Sequence, residues 1–236
     1  MPRFHIIACD VLRDELVQVA EQTDHEFTHL FLEQCLHNEP ERLRAMVSEA
    51  VLAAPDYDAV LIGYGLCSNG LSGVRADGCP LVIPRAHDCI TLFLGSRERY
   101  AAYFAENPGT YWYTPGWIRT SSLPCEERWV ELRRGYAEQY GEENADYLME
   151  MTHGSWTTNY KNAAYVDLGI EDNSEYVAFA RRSAEYFGWK CDVLAGDPRL
   201  LAALVSGEWH EDDFLVVHPG QAVVASHDNR VLAVAR

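Results

Sequence analysis

Short apolar runs alternate with amphipathic stretches along most of this chain. Phe4-His5-Ile6-Ile7-Ala8-Cys9 reads as a buried strand, and from Asp10 the spacing of Leu12, Leu16, Val17 and Ala20 predicts a helix. A second strand is expected over Glu26 to Leu32. Asn38 as N-cap and Pro40 in the first turn open a helix with an apolar stripe of Leu43, Met46, Val47, Ala50 and Val51, closed at Ala54-Pro55-Asp56. Asp58 to Tyr64 is apolar on both faces, the mark of a central parallel strand covered by helices on each side. Leu81 to Arg85 predicts a fourth strand, Ser96 caps a helix to Glu106, and Tyr111-Trp112-Tyr113 reads as a strand ending in a turn.

From Pro124 to Met151 the pattern becomes helical and charged, with Gly141 dividing it and Trp129, Leu132, Tyr136, Tyr140, Tyr147 and Leu148 as packing residues. A return loop is expected over 154–160. Strands then follow at Asn162 to Leu168, Cys191 to Leu194 and Phe214 to Val217. Helices lie between them, the first capped at Asn173 or Ser174 and reaching Phe187, the second running from Asp197-Pro198 to Val205. A polar ending runs to Arg236. The pattern predicts an α/β fold with a mainly parallel sheet, Rossmann-like βαβ units and two lobes around a cleft. The expected segments are an N-terminal α/β lobe over 1–120, a helical covering segment over 121–160 and a C-terminal α/β lobe over 161–236.

The 236 residues carry 19 Lys and Arg against 36 Asp and Glu, a formal charge of -17. That balance argues against binding to nucleic acid or an anionic membrane, because both rest on clustered cations. No apolar run approaches the roughly 20 residues that span a bilayer. The N-terminus passes straight into a strand pattern with no signal-peptide core, so a cytoplasmic protein is expected. In that compartment the seven cysteines are reduced thiols, either buried as small hydrophobes or engaged in chemistry.

Position selects among them. Loops beyond the carboxyl ends of parallel strands form the ligand crevice, and Cys9, Cys67, His87 and Cys89 all fall there. Three thiolates and an imidazole suit tetrahedral zinc or an iron–sulfur cluster. Alternatively, one cysteine is a nucleophile with His87 as base and Asp88 as orienter. Arg85 and Arg97, with Ser96 at a helix start and His37 at the end of the second strand, offer a second set that can hold a small anion. Cys79, Cys125 and Cys191 read as structural.

Several of these segments carry a resemblance. Ile7-Ala8-Cys9, Leu36-His37-Asn38, Gly63-Tyr64-Gly65-Leu66-Cys67, Pro84-Arg85-Ala86-His87-Asp88-Cys89-Ile90-Thr91 with Gly95-Ser96-Arg97, and Gly109-Thr110-Tyr111-Trp112 resemble a prokaryotic domain family of unknown function. Members of that family often occur near corrinoid-dependent methyl-transfer systems. The resemblance implies a place in one-carbon metabolism and a corrinoid or methyltransferase partner, and it puts Cys9, Cys67, His87 and Cys89 in matching motifs. His87-x-Cys89 is also similar to part of a zinc-thiolate methyltransferase site, although the chain is short for the usual barrel of those enzymes. The expected function is a metal-binding enzyme acting on a small molecule, with thiol-linked methyl or alkyl transfer as its reaction class. A metal or corrinoid carrier and a module binding a small anionic metabolite are the alternatives.

Overall fold

The computed structural model describes residues 1–54, 56–169 and 173–235. Pro55, expected to help close the second helix, and Arg236 lie outside them. The chain divides into two compact units, Met1–Arg99 with Asp197–Arg236, and Tyr100–Gly196. The stretch expected to form one N-terminal lobe is therefore shared between them.

The first unit begins with β1 (Arg3–Cys9), α1 (Arg13–Ala20), β2 (Glu26–Leu32), α2 (Pro40–Leu52), β3 (Ala59–Gly63) and β4 (Leu81–Pro84). Every residue of β3 and β4 is buried, as their unbroken apolar runs require. Pro40 stands at the first helical position of α2 as expected. The N-cap position falls to Glu39, because Leu36–Asn38 forms a separate 3-10 turn. α3 (Cys89–Leu94) follows β4 after the loop 85–88 and is buried along its whole length, so it has no exposed polar face to betray it in the sequence. Gly95, at φ 73, ends it in the left-handed conformation.

α4 (Arg97–Glu106) leads into the second unit. There β5 (Thr110–Tyr113), α5 (Pro115–Thr120), α6 (Glu126–Tyr140), α7 (Glu142–Met149), α8 (Ser155–Thr158), β6 (Asn162–Asp167), α9 (Ser174–Phe187) and β7 (Lys190–Ala195) follow in turn. β5, β6 and β7 form a parallel sheet with β6 in the middle. Tyr113, Tyr165, Ala180, Ala184 and Trp189 are buried in its core. Gly141, at φ 86, separates α6 from α7 as expected, and Arg133 bridges them through Glu142 and Asp146. Two expected packing residues do not pack: Tyr140 is 50% and Tyr147 63% exposed. Within the return loop expected over 154–160, Ser155–Thr158 forms α8, preceded by a π-helical turn at Glu150–Gly154.

The chain then returns to the first unit through α10 (Arg199–Val205), β8 (Phe214–Val217), β9 (Val223–Ala225) and β10 (Leu232–Val234). The five-stranded sheet has the order β2-β1-β3-β4-β8. β2, β1, β3 and β4 are parallel, and β8 runs antiparallel at the edge, pairing Phe214 with Pro84 and Val217 with Leu81. The result is a mixed α/β architecture with a mostly parallel main sheet, and no closed barrel occurs among the described residues. β9 and β10 form a small hairpin where only a polar ending is expected. No described helix is long and apolar enough to cross a membrane.

Candidate functional site

The strand order reverses direction at β1 and β3. β1 connects outward to β2, whereas β3 connects the opposite way to β4. In open parallel sheets such a switch point leaves a crevice beyond the carboxyl ends of the two strands. Cys9 is the last residue of β1, and Cys67 lies four residues beyond Gly63 at the end of β3. Cys89 starts α3 after β4.

Close backbone packing builds the crevice. A Cβ at Gly63 would stand 2.4 Å from the Cβ of Ala8, so β1 and β3 approach each other only because residue 63 has no side chain. A Cβ at Gly65 would lie 2.7 Å from the Asp88 nitrogen and 2.8 Å from the Ala86 oxygen. The two loops are also joined by hydrogen bonds from Leu66 N to Ala86 O (2.8 Å) and from Cys67 N to His87 O (2.9 Å). Cys67, Ser68 and Asn69 hold φ values of 46, 56 and 66°, three successive non-glycine residues in the left-handed region. Gly70 N closes that turn on Cys67 O at 2.9 Å.

Cys9, Cys67 and Cys89 are all buried, and Cys9 and Cys67 are near enough to act electrostatically on Cys89. Burial pushes the Cys9 thiol up to about 11, opposed in part by the Val11 backbone and the Tyr64 hydroxyl. Cys67 lies above the ordinary thiol range through burial, then through the Asp88 carboxylate and Cys9. Cys89 stands well above it through burial, Cys9, Asp88 and Cys67. Tyr64 is the common neighbour: burial raises its phenol first, and Cys9, Cys67 and Cys89 each raise it further. Its hydroxyl faces the Cys9 thiol but meets no partner at full hydrogen-bond geometry. A neutral thiol is a poor acceptor; a thiolate or metal-bound sulfur is a good one.

The other expected residues are placed differently. His87 is exposed, while its carbonyl holds the Cys67 loop. Asp88 is the N-cap of α3, where its carboxylate accepts from Thr91 N at 3.3 Å. His37 is half-buried, and burial lowers its pKa against the opposing pull of Asp88. Arg85, only 7% exposed, donates through Nε to the carbonyls of Glu211 (2.7 Å) and Phe214 (3.2 Å), and through Nη1 to those of Arg230 (3.2 Å) and Leu232. Arg97 donates to the carbonyls of Asp212 (2.9 Å) and Asn229. Ser96 Oγ donates to Glu98 at 2.7 Å and accepts from Arg99 N at 3.2 Å. Arg85, Ser96 and Arg97 thus hold the chain's own backbone and helix start together. Tyr64 and Gly65 were missing from the expected set, although both stand in the glycine-flanked segment between β3 and Cys67.

The donor set is sulfur-rich and suits a thiophilic metal. Among the described residues no three of His, Cys, Asp and Glu form a group that could hold a metal ion as they stand.

An open, mostly parallel α/β sheet with buried thiols at its switch point defines the class. The family described as a protein of unknown function, DUF1638, matches residues 31–205, and the chain belongs to it. No curated protein and no solved structure matches the chain.

Proposed function

We propose that Cys9, Cys67 and Cys89 bind a thiophilic metal at the carboxyl edge of the first unit, zinc in the first place and an iron–sulfur cluster in the second. The supporting observation is the arrival of three buried thiols from three strand ends beside Tyr64. On this reading the protein is an enzyme acting on a small molecule by thiol-linked methyl or alkyl transfer. When bound, zinc lowers the pKa of a substrate thiol so that it attacks as thiolate. The chain's residues hold and shield the centre: the 65–67 and 86–88 loops fix two thiols, and Tyr64 donates to the Cys9 sulfur once that sulfur is ionised.

Three thiols leave a fourth position for substrate, whereas a shell closed by His87 requires its ring to turn in from solvent. The open shell favours the enzyme and the closed one a metal or corrinoid carrier. The corrinoid-dependent methyl-transfer setting implied by the family resemblance fits either. An anion held by Arg85, Ser96 and Arg97 has less support, because hydrogen bonds within the chain engage these side chains.

Anaerobic loading with zinc and metal analysis of the wild type, Cys67→Ser and Cys89→Ser test the reading. About one zinc per chain is expected in the wild type, with an affinity loss on the order of 10-fold or more in each variant. Equal, substoichiometric zinc in all three would defeat it.

A further inference from the structure

The second unit contains a cavity of about 270 Å³, formed by the segment before α6, the first turns of α6 and the π-helical turn after α7. Tyr111, Pro124, Trp129 and Leu132 give it apolar and aromatic walls, and Arg128 and His153 give it a basic side. In a chain with 36 acids and 19 Lys and Arg, none of the acids lines it. A neighbouring groove of about 500 Å³ shares Arg128 and Leu132 but includes Glu131, so the smaller cavity is the better place for an anion.

Arg128 donates through Nη1 to the Ser122 carbonyl, and no described carboxylate pairs with it. A guanidinium has five N–H donors in a planar fork, so donors remain for a ligand. His153 Nε2 is buried without a hydrogen-bond partner, a state that costs stability until something satisfies it. Burial and the nearby Arg128 charge keep His153 below its ordinary pKa. Trp129 is held in place by edge-on contacts to the His153 ring at 5.1 Å and the Phe187 ring at 5.0 Å. His153 itself lies in the π-helical turn, a departure from regular helix that is frequent at functional sites.

We propose that this cavity binds a small carboxylate carried on a flat apolar ring. Arg128 holds the carboxylate, His153 shares a hydrogen bond with the ligand through Nε2, and Tyr111, Trp129 and Leu132 enclose the ring. The volume admits one ring with its carboxylate and little more.

Benzoate and benzamide, which share a shape and differ in charge, are the probes. Titration of the full-length chain by calorimetry is expected to show one benzoate site per chain, roughly tenfold or more tighter than benzamide, as a charge-assisted hydrogen bond implies. Arg128→Gln is expected to remove that preference without moving the thermal unfolding midpoint, and Trp129→Ala to weaken both probes. Equal binding of the two probes by the wild type, no saturable benzoate binding, or unchanged benzoate binding in folded Arg128→Gln overturns the proposal. The wild-type comparison alone decides if the variants do not fold.

Discussion

Arg85 in the first unit and Arg128 in the second are both arginines beside a crevice or cavity, yet they stand in opposite situations. Arg85 is buried and its guanidinium is engaged by four main-chain carbonyls, from Glu211, Phe214, Arg230 and Leu232. Arg128 donates to the carbonyl of Ser122 and lines a cavity without acids. The first joins strand β4 to residues far along the chain; the second keeps donors for something else. Counting where a cation's hydrogen bonds go, rather than noting its place near a strand end or helix start, separates a structural tie from a ligand site.

The largest expected effect sharpens this contrast. Arg85→Met leaves carbonyls buried without their donor and should lower stability by about 2–4 kcal/mol, whereas Arg128→Gln should stay within about 0.5 kcal/mol of the wild type. Urea unfolding of both variants checks this, and similar losses in the two would break the comparison.

A somewhat smaller effect concerns the uncharged character of the first unit's thiols. Cys9 ionises near 9 when unfolded and at about 11 when folded, so the folded state keeps its proton longer. The associated stability is full below pH 9 and is lost as pH rises through 11, about 2–3 kcal/mol for two pKa units. Denaturation of the metal-free protein at pH 8 and pH 11 should show this loss, and Cys9→Ala should lack that share of it.

The smallest effect concerns the left-handed turn. Ser68→Gly removes a side chain from φ 56 but adds freedom to the unfolded chain, so a net gain of about 0.5–1 kcal/mol is expected in the metal-free protein. A loss in thermal unfolding experiments would show that the turn is not strained.

Much of this fold was readable from periodicity. β1, β3 and β4 fall where apolar runs place them, β2 falls on its expected span despite a mixed and largely exposed pattern, and α9 and α10 start where expected. α3 was invisible because its six residues are all buried, so it has no exposed polar face, and it is too short for helical periodicity to stand out. The antiparallel placement of β8 beside β4 depends on contacts with residues more than 100 positions away in sequence. At the candidate site, the positions of Cys9, Cys67 and Cys89 at strand ends were legible. Tyr64 and Gly65 were not, because their importance comes from contact with loops more than 20 residues away, beyond the reach of local pattern. At Arg85 and Arg97 residue type and position point to a ligand, whereas the tertiary carbonyls that engage them lie beyond the reach of local pattern.

The split of the first unit between Met1–Arg99 and Asp197–Arg236 has a consequence for biosynthesis. On the ribosome, residues 100–196 emerge before the strand that pairs with β4 and before the carbonyls that receive Arg85. The inserted unit can therefore mature while its host is still waiting, with the β4 edge open and a guanidinium lacking acceptors. A nascent chain stalled in that interval presents an unpaired strand edge, and the arrival of Phe214–Val217 closes it.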